Sequence, residues 1–430
     1  MARADNPVVE AADRLLASFK RPARLLIAIS GGSDSTGLLV ALATLCAAGR
    51  YPHITLMACT VDHALRAGSA GEASAVAALC ARHGVAHLTR RWEGPKPAAG
   101  LQAAARTRRY ALLVDAAMQA GADAILAAHT RDDQNETVAM RAARTGEGVG
   151  LSGMADAVLL EGAVWLLRPL LGIDRAAIRA LLDTHGEGWI DDPSNLNPRF
   201  ERVRIRAEGV VPALQPAPGE RLVLAKRAAD FLAAAVRRDG SCFTLSLAGI
   251  AAALSEPAAW RGLLLLAATA GGRVHVLEAR SAGRLKTFLA SGTLSRMTAG
   301  RVVFDRRRDG LHLYRECRGI APLLLRPGEA GVWDGRYRVV VRAERAVVVC
   351  ACCEGGGEGA LAHLHGPALR AARAAPRLRF EDGGAATRVA ADIEPAIAPY
   401  AHFLPRFDLP VAQALADLAG CPRFPPPPNE

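Results

Sequence analysis

Lysine is almost missing from this chain: Lys20, Lys96, Lys226 and Lys286 are the only ones, so the formal net charge of +11 rests almost wholly on arginine. Part of that bias reflects a GC-rich coding background. The surplus still favours a polyanionic partner, nucleic acid before a membrane surface. No uninterrupted apolar core follows the N-terminus, only Leu15-Leu16 among Ala, Asp and Arg, which argues against a secretory signal. The apolar run at 263–270 is too short to span a bilayer. Nine cysteines follow no disulfide-framework spacing, which fits a reducing cytoplasm. Their one cluster is Cys350-Ala351-Cys352-Cys353, and no second cluster or nearby histidine pair completes a tetrahedral metal site. There is no internal repeat.

What is present is a regular alternation. Residues 25–29, 54–61, 87–92, 124–128 and 164–171 read as strands, and 33–48, 71–83, 101–120, 130–144 and 174–185 as the helices between them. This predicts an α/β fold, a Rossmann-like doubly wound parallel sheet with helices on both faces. Such sheets bind ligands beyond the carboxyl ends of their strands, and Ser30, Asp62 and His129 all fall at strand ends.

Between the first strand and helix lies Ser30-Gly31-Gly32-Ser33-Asp34-Ser35. Adjacent glycines let the chain turn sharply and bring backbone amides to an anion; the serines add hydroxyls and the helix start its positive dipole end. Such a loop suits phosphate. It is not a Walker A loop, because no Gly-Lys-Ser/Thr follows. It resembles, without departure, the Ser-Gly-Gly-x-Asp-Ser loop of the PP-loop ATP pyrophosphatases. That resemblance implies cleavage of ATP between its α and β phosphates, with pyrophosphate held by residues 30–35 and AMP passed to a substrate oxygen.

Further motifs carry chemistry. Asp62-His63-Ala64-Leu65-Arg66 either caps the next helix or reaches a nucleotide. In His129-Thr130-Arg131-Asp132-Asp133-Gln134-Asn135-Glu136-Thr137, a helix starting near Thr130 puts Asp132 and Glu136 on one face. Paired carboxylates can hold Mg²⁺ or a substrate ammonium, or simply complement a helix N-terminus. Arg106 and Arg109, one turn apart, suit a developing negative charge or RNA phosphate. Arg199, Arg202, Arg204 and Arg206 alternate with apolar residues, as a solvated helix face or an RNA contact.

In order and spacing these motifs resemble those of the tRNA(Ile)-lysidine synthetase family. Ala64 stands where that family has glycine, Gln102 where it often has an acid, and Thr145 where it has glycine in the segment Arg144 to Met154. Arg168-Pro169-Leu170-Leu171 and Asp191-Asp192-Pro193-Ser194-Asn195 continue the match, which thins beyond Arg206. The resemblance implies ATP and Mg²⁺ as cofactors, with tRNA(Ile) bearing a CAU anticodon and L-lysine as substrates. The C2 oxygen of the wobble cytidine is adenylated, and the ε-amine of lysine then displaces AMP. On this reading Ser30, Gly31, Gly32, Ser33, Asp34, Ser35, Asp62, His63 and His129 bind the nucleotide. Asp34 and Asp132 hold Mg²⁺; Asp34, Arg109, Asp132 and Glu136 serve catalysis, with Asp132 and Glu136 holding lysine or metal; and Arg199, Arg202, Arg204 and Arg206 bind RNA. The enzyme is expected in the cytoplasm without a membrane partner, and a homodimer is left open. The rivals are a PP-loop tRNA thiolase, for which Cys46, Cys59 and Cys80 offer no Cys-x-x-Cys pair, a small-molecule amidating enzyme, and a non-catalytic RNA-binding protein.

Residues 1–211 read as the catalytic domain, and 212–219, with three prolines, as a linker. Residues 220–318 read as a mainly helical tRNA-binding domain, with helices at 220–238, 247–268 and 276–290 and a hairpin pairing 294–303 with 311–314. Residues 319–430 read as a β-rich domain ending in a disordered proline tail at 425–428.

Overall fold

The computed structural model describes residues 6–65, 68–145, 149–191, 201–208, 217–352, 361–384, 386 and 388–430. The chain divides into two compact units, residues 1–221 with 425–430, and residues 222–424. Of the expected linker, residues 212–216 lie outside the described residues.

The first unit opens with α1 (Pro7–Ser18), capped by Asn6, whose side chain accepts from the Val8 amide at 2.9 Å. Then follow β1 (Ala23–Ala28), α2 (Ser33–Ala47), β2 (Ile54–Asp62), α3 (Ser69–Arg82), β3 (Ala86–Arg91), α4 (Leu101–Ala120), β4 (Ala124–Ala127) and α5 (Arg131–Thr145). The strands β5 (Ala157–Leu160) and β6 (Val164–Leu167), then α6 (Arg175–His185) and α7 (Glu201–Glu208), complete it. Its strands lie in the order β5-β6-β4-β1-β2-β3. Parallel pairing joins β1 to both β2 and β4, β2 to β3, and β4 to β6. Leu25, Leu26 and Ile27 have no exposed surface, because a central parallel strand is covered on both faces and reads as a continuous apolar run. Each such side chain contributes roughly 1.5–3 kcal/mol of burial.

From β1 the chain builds outward through β2 and β3, then returns to β4 on the other flank. That reversal opens a crevice at the carboxyl end of β1, which is where residues 30–35 lie. The all-parallel expectation needs one correction. β5 is antiparallel to β6, joined by a tight turn with Glu161 and Gly162 at φ of 50° and 65°. The sheet is therefore mixed at that edge.

In the second unit the expected helix at 247–268 is two helices, α9 (Leu247–Ser255) and α10 (Pro257–Ala270), bent by 116°. Pro257 opens α10, and its missing N–H and fixed φ stop α9 from running on. Before them α8 (Pro218–Ala235) ends early, because β7 (Val236–Asp239) takes up its expected last turn and pairs with β8 (Cys242–Leu245). After α11 (Ala279–Ala290) come β9 (Arg296–Ala299), β10 (Val302–Arg307) and β11 (Gly310–Arg315), in an antiparallel sheet ordered β7-β8-β11-β10-β9. The hairpin is thus β10 with β11, and 296–299 form a separate strand beside it.

Two three-stranded sheets follow. One joins β12 (Leu323–Leu325), β15 (Val347–Ala351) and β16 (Pro376–Phe380); the other joins β13 (Ala330–Trp333), β14 (Tyr337–Val341) and β17 (Ala391–Pro395). Trp333, Val339, Val347 and Val349 share their core. Cys350 is buried on β15, as an apolar strand residue would be, while Cys353 lies outside the described residues. The helices α12 (Gly366–Arg373) and α13 (Leu409–Ala419) complete the unit.

The proline tail, expected to be disordered, has hydrogen-bond partners in the first unit. Trp165 Nε1 donates to the Pro425 carbonyl and Asn429 Nδ2 to Ser18 Oγ, both at 3.1 Å. Pro427 is buried. A proline run is already stiff, so docking it loses little chain entropy. Among the described residues no single helix is long and apolar enough to cross a membrane.

Candidate active site

The loop after β1 turns at Gly31, whose φ is +84°. Ser35 ties the loop to the helix: its hydroxyl accepts from the Ser30 amide at 3.2 Å and donates to the Gly32 carbonyl at 3.1 Å. Thr36 Oγ1 donates to the Gly31 carbonyl at 3.3 Å. Ser33 opens α2 after an extended Gly32, and the opening N–H groups of a helix have no carbonyl partner of their own. Glycines, hydroxyls and helix start therefore converge as an anion cradle at the crevice.

Asp34, in the first turn of α2, accepts from Arg175 Nε at 3.0 Å. Burial pushes its carboxyl up despite the pull of Arg175. Arg175 also lies 3.6 Å from Asp133, and its amide donates to Asp132 Oδ2 at 2.9 Å. Against burial, the carboxylates Asp34 and Asp133 hold its guanidinium more firmly charged. Asp133 closes a capping box, accepting from Thr130 N at 3.0 Å and Thr130 Oγ1 at 3.1 Å. Of the expected Mg²⁺ pair, Asp132 caps the N-terminus of α6 through the Arg175 amide, and Asp34 pairs with the Arg175 guanidinium. Among the described residues no group of three His, Cys, Asp or Glu side chains could hold a metal ion. A Mg²⁺ that arrives on phosphate needs only one or two carboxylates, which Asp34, in the first turn of α2, can supply.

Beyond β4 and β6 lies an arginine-rich basin. Arg168, 8% exposed, donates from Nε to His129 Nδ1 at 3.2 Å and from Nη1 to the Ala155 carbonyl at 2.7 Å. Burial, together with the charges of Arg168, Arg109, Arg106 and Arg202, holds His129 well below the usual imidazole range. It is neutral, and since Nδ1 accepts, the proton sits on Nε2. Burial would push the Tyr110 phenol up, but Arg109, Arg106 and Arg168 bring it down to about 8. Arg109 also faces His63, whose pKa is lowered by burial first, then by Arg109 and Lys96 against Asp62. His63 packs edge-on to Trp92, and its Nδ1 has no hydrogen-bond partner among the described residues.

Asp62 Oδ1 accepts from the Ala64 amide at 2.8 Å, in the manner of an Asx turn. Burial raises the Asp62 pKa, but Ala64 N–H, Ser69 and Arg91 outweigh it and leave the carboxyl below its ordinary value. Ala64 has a φ of +52°, so alanine occupies a left-handed position that glycine takes freely. Ala64→Gly is expected to stabilise the protein by up to about 1 kcal/mol, read as a raised Tm in a thermal melt. Arg66 lies outside the described residues.

Glu136 parts company with Asp132 although both are on α5. It is 4% exposed, and its Oε1 accepts from Arg206 Nε and Nη2, each at 2.8 Å. Its Oε2 has no partner among the described residues. Arg202 Nη2 donates to Thr137 Oγ1 at 3.5 Å. Arg202 and Arg206, both expected to bind RNA, contact Thr137 and Glu136 and so hold α7 against α5. Arg204 is exposed, and Arg199 lies outside the described residues. The glycine-spaced segment is also held by α5, since Gln134 exchanges two hydrogen bonds with the Met154 backbone and Arg141 donates to the Gly150 and Gly153 carbonyls; residues 146–148 lie outside the description.

Thus Ser30, Gly31, Gly32, Ser33, Asp34, Ser35, Asp62, His63 and His129 stand along one edge of the sheet, with Arg109 facing both histidines. Arg168, Arg175 and Tyr110 carry geometry that sequence reasoning did not assign. A signal existed for two of them: Arg168 ends a strand before proline, and Arg175 follows the helix-opening Asp174.

A strand order reversing at β1 and a glycine-serine cradle at its carboxyl end define a PP-loop ATP-binding protein, and the PP-loop domain family matches residues 5–214. A tRNA(Ile)-lysidine synthase of Rhizobium meliloti (strain 1021) is 46% identical over 446 residues, spanning 98% of this chain and 97% of that one. Another, of Mesorhizobium japonicum, is 40% identical over 439 residues, spanning 93% and 92%. The chain belongs to the tRNA(Ile)-lysidine synthase family, and is accordingly an ATP-dependent, ligase-type enzyme of tRNA modification. Among solved structures it is distantly similar to the U34-tRNA thiolase NcsA from Methanococcus maripaludis with its [4Fe-4S] cluster, at a TM-score of 0.39 and 16% identity over 47% of this chain and 70% of that one.

Proposed function

We propose that this enzyme uses ATP to join L-lysine to C2 of the wobble cytidine in tRNA(Ile) with a CAU anticodon, forming lysidine and shifting decoding from AUG to AUA. The cytidine C2 oxygen attacks the α-phosphorus of ATP. The bond from that phosphorus to the β-bridging oxygen breaks, and pyrophosphate leaves into the cradle of residues 30–35. Amides and the α2 dipole there meet the charge of the leaving group. The ε-amine of lysine then attacks C2, and AMP departs with the former C2 oxygen. Mg²⁺ would enter on the triphosphate, held by Asp34, and would neutralise charge on it.

Arg106, Arg109, Arg168 and Arg202 suit the phosphate of the adenylated base. Neutral His129 offers an Nε2–H donor, and His63 Nδ1 an unused ring nitrogen, to nucleotide groups. What carries the lysine assignment is one observation: Glu136 keeps a buried carboxylate oxygen without a partner among the described residues. An ammonium group satisfies it, and a carboxylate there can take the proton that must leave before attack. The second unit, within an arginine-rich chain, suits the tRNA body, and the work is cytoplasmic.

A thiolase is not favoured, since burial pushes the Cys59 and Cys80 thiols up to about 11 and withholds the thiolate that sulfur transfer needs. The test is incorporation of labelled lysine into tRNA(Ile) and tRNA(Met) transcripts, with pyrophosphate release followed in parallel. Lysine is expected in the first alone, and no pyrophosphate without tRNA. Lysine in neither transcript, or in both equally, contradicts the proposal.

A further inference from the structure

The cradle has a roof that the reaction scheme does not use. At the end of α6 the chain turns through Gly186, with φ of +64°, and Glu187 donates its amide back to the Leu182 carbonyl at 3.0 Å. The Glu187 carboxylate is anchored to the end of α3, 2.8 Å from Arg82 Nη2 and 2.8 Å from His83 Nε2. Arg179 stacks over Trp189, whose indole donates to Asp191 at 3.2 Å. Ile190 then crosses the loop. Its amide donates to the Gly31 carbonyl at 2.8 Å, and a β-carbon on Gly31 would lie 2.8 Å from Ile190 Cδ1. The Ile190 carbonyl is 4.0 Å from the β-position of Gly32.

We propose that residues 187–191 form a strap that sets the phosphate cradle, with Ile190 as its positioning residue. A peptide unit can turn either its carbonyl or its N–H toward the anion. The Ile190 amide holds the Gly31 carbonyl outward, so the amides that follow are left to face phosphate. The Ile190 side chain blocks the space into which Gly31, the most permissive residue of the loop, would otherwise relax. The Glu187 contacts to Arg82 and His83 fix the strap to α3, so the loop is held from outside its own helix. Ile190 touches no reacting atom; it acts through Gly31.

This inference rests on residues 30–35 being the pyrophosphate site. Its test is calorimetric binding of pyrophosphate to the full chain, with KM for ATP and for lysine, in Ile190→Ala, Ile190→Pro, Ile190→Val and Gly31→Ala. Ile190→Ala keeps the N–H and loses the packing, and Ile190→Pro loses the N–H. Both are expected to weaken pyrophosphate and raise KM for ATP on the order of tenfold, with KM for lysine unchanged. Ile190→Val is expected to match the parent. A merely structural Ile190 would lower Tm and leave these affinities alone. If Gly31→Ala binds weakly while neither Ile190→Ala nor Ile190→Pro does, the strap is refuted. If Gly31→Ala also binds as the parent does, the cradle reading fails and the strap with it. Should Ile190→Pro not fold, Ile190→Ala decides alone.

Discussion

Gly31→Ala is expected to remove nearly all tRNA-dependent pyrophosphate release while leaving a folded protein. Three constraints meet at that residue. Its φ of +84° is left-handed, which costs an L-residue about 1–2 kcal/mol. An added β-carbon would stand 2.8 Å from Ile190 Cδ1 and 2.9 Å from Val76 Cγ2, closer than carbon atoms pack. Its carbonyl already accepts from Ile190 N and Thr36 Oγ1, so the peptide cannot rotate away without breaking both. The loop must shift, and its amides move with it. Preorganised donors to developing charge are commonly worth a factor of about 10²–10³, and a fall of that order in kcat/KM for ATP is expected. Pyrophosphate release measures it; parent-like kinetics would contradict the geometry.

Glu136→Ala is expected to separate the two half-reactions. The residue lies beyond the capping box of α5 and, among the described residues, shares no hydrogen bond or ion pair with the cradle, so adenylation of tRNA should persist. Lysine, in the proposed scheme, loses the buried carboxylate that meets its ammonium. Removing one member of a desolvated charge pair costs about 2–5 kcal/mol, so KM for lysine should rise by at least about tenfold and adenylated tRNA should accumulate. Arg206, left without Glu136, is half-exposed and can turn to water, which limits the structural damage. Quenched-flow analysis of the tRNA intermediate is the measurement, and an unchanged lysine KM would remove Glu136 from the substrate site.

Much of the catalytic unit was legible because its signals are local. The strand at 25–29 is a continuous apolar run with glycines after it, and the loop chemistry follows from those few residues. α4 runs over the expected 101–120 because a long proline-free stretch is bounded by Gly100 and Gly121, both left-handed. What was not legible depends on partners distant in sequence. Asp132 and Glu136 share a face at helical spacing, yet nothing local says that the first would meet the Arg175 amide and the second Arg206. Arg202 and Arg206 looked like a basic surface because their acceptors, half-buried Thr137 and buried Glu136, belong to another helix. In the second unit, a single proline outweighed the apolar pattern of a long helix, and β7 came out of what reads as a helix end because β8 was there to pair with it.

The order of the polypeptide and the order of its folded bodies are not the same. The PP-loop unit is written in two instalments, with some two hundred residues (222–424) intervening before its closing piece. A fragment cut after residue 221 therefore lacks Pro425 and Asn429. It leaves the indole N–H of Trp165, only 2% exposed, with its acceptor gone. Dissecting this enzyme into a minimal PP-loop fragment means splicing that closing piece back on, not merely truncating.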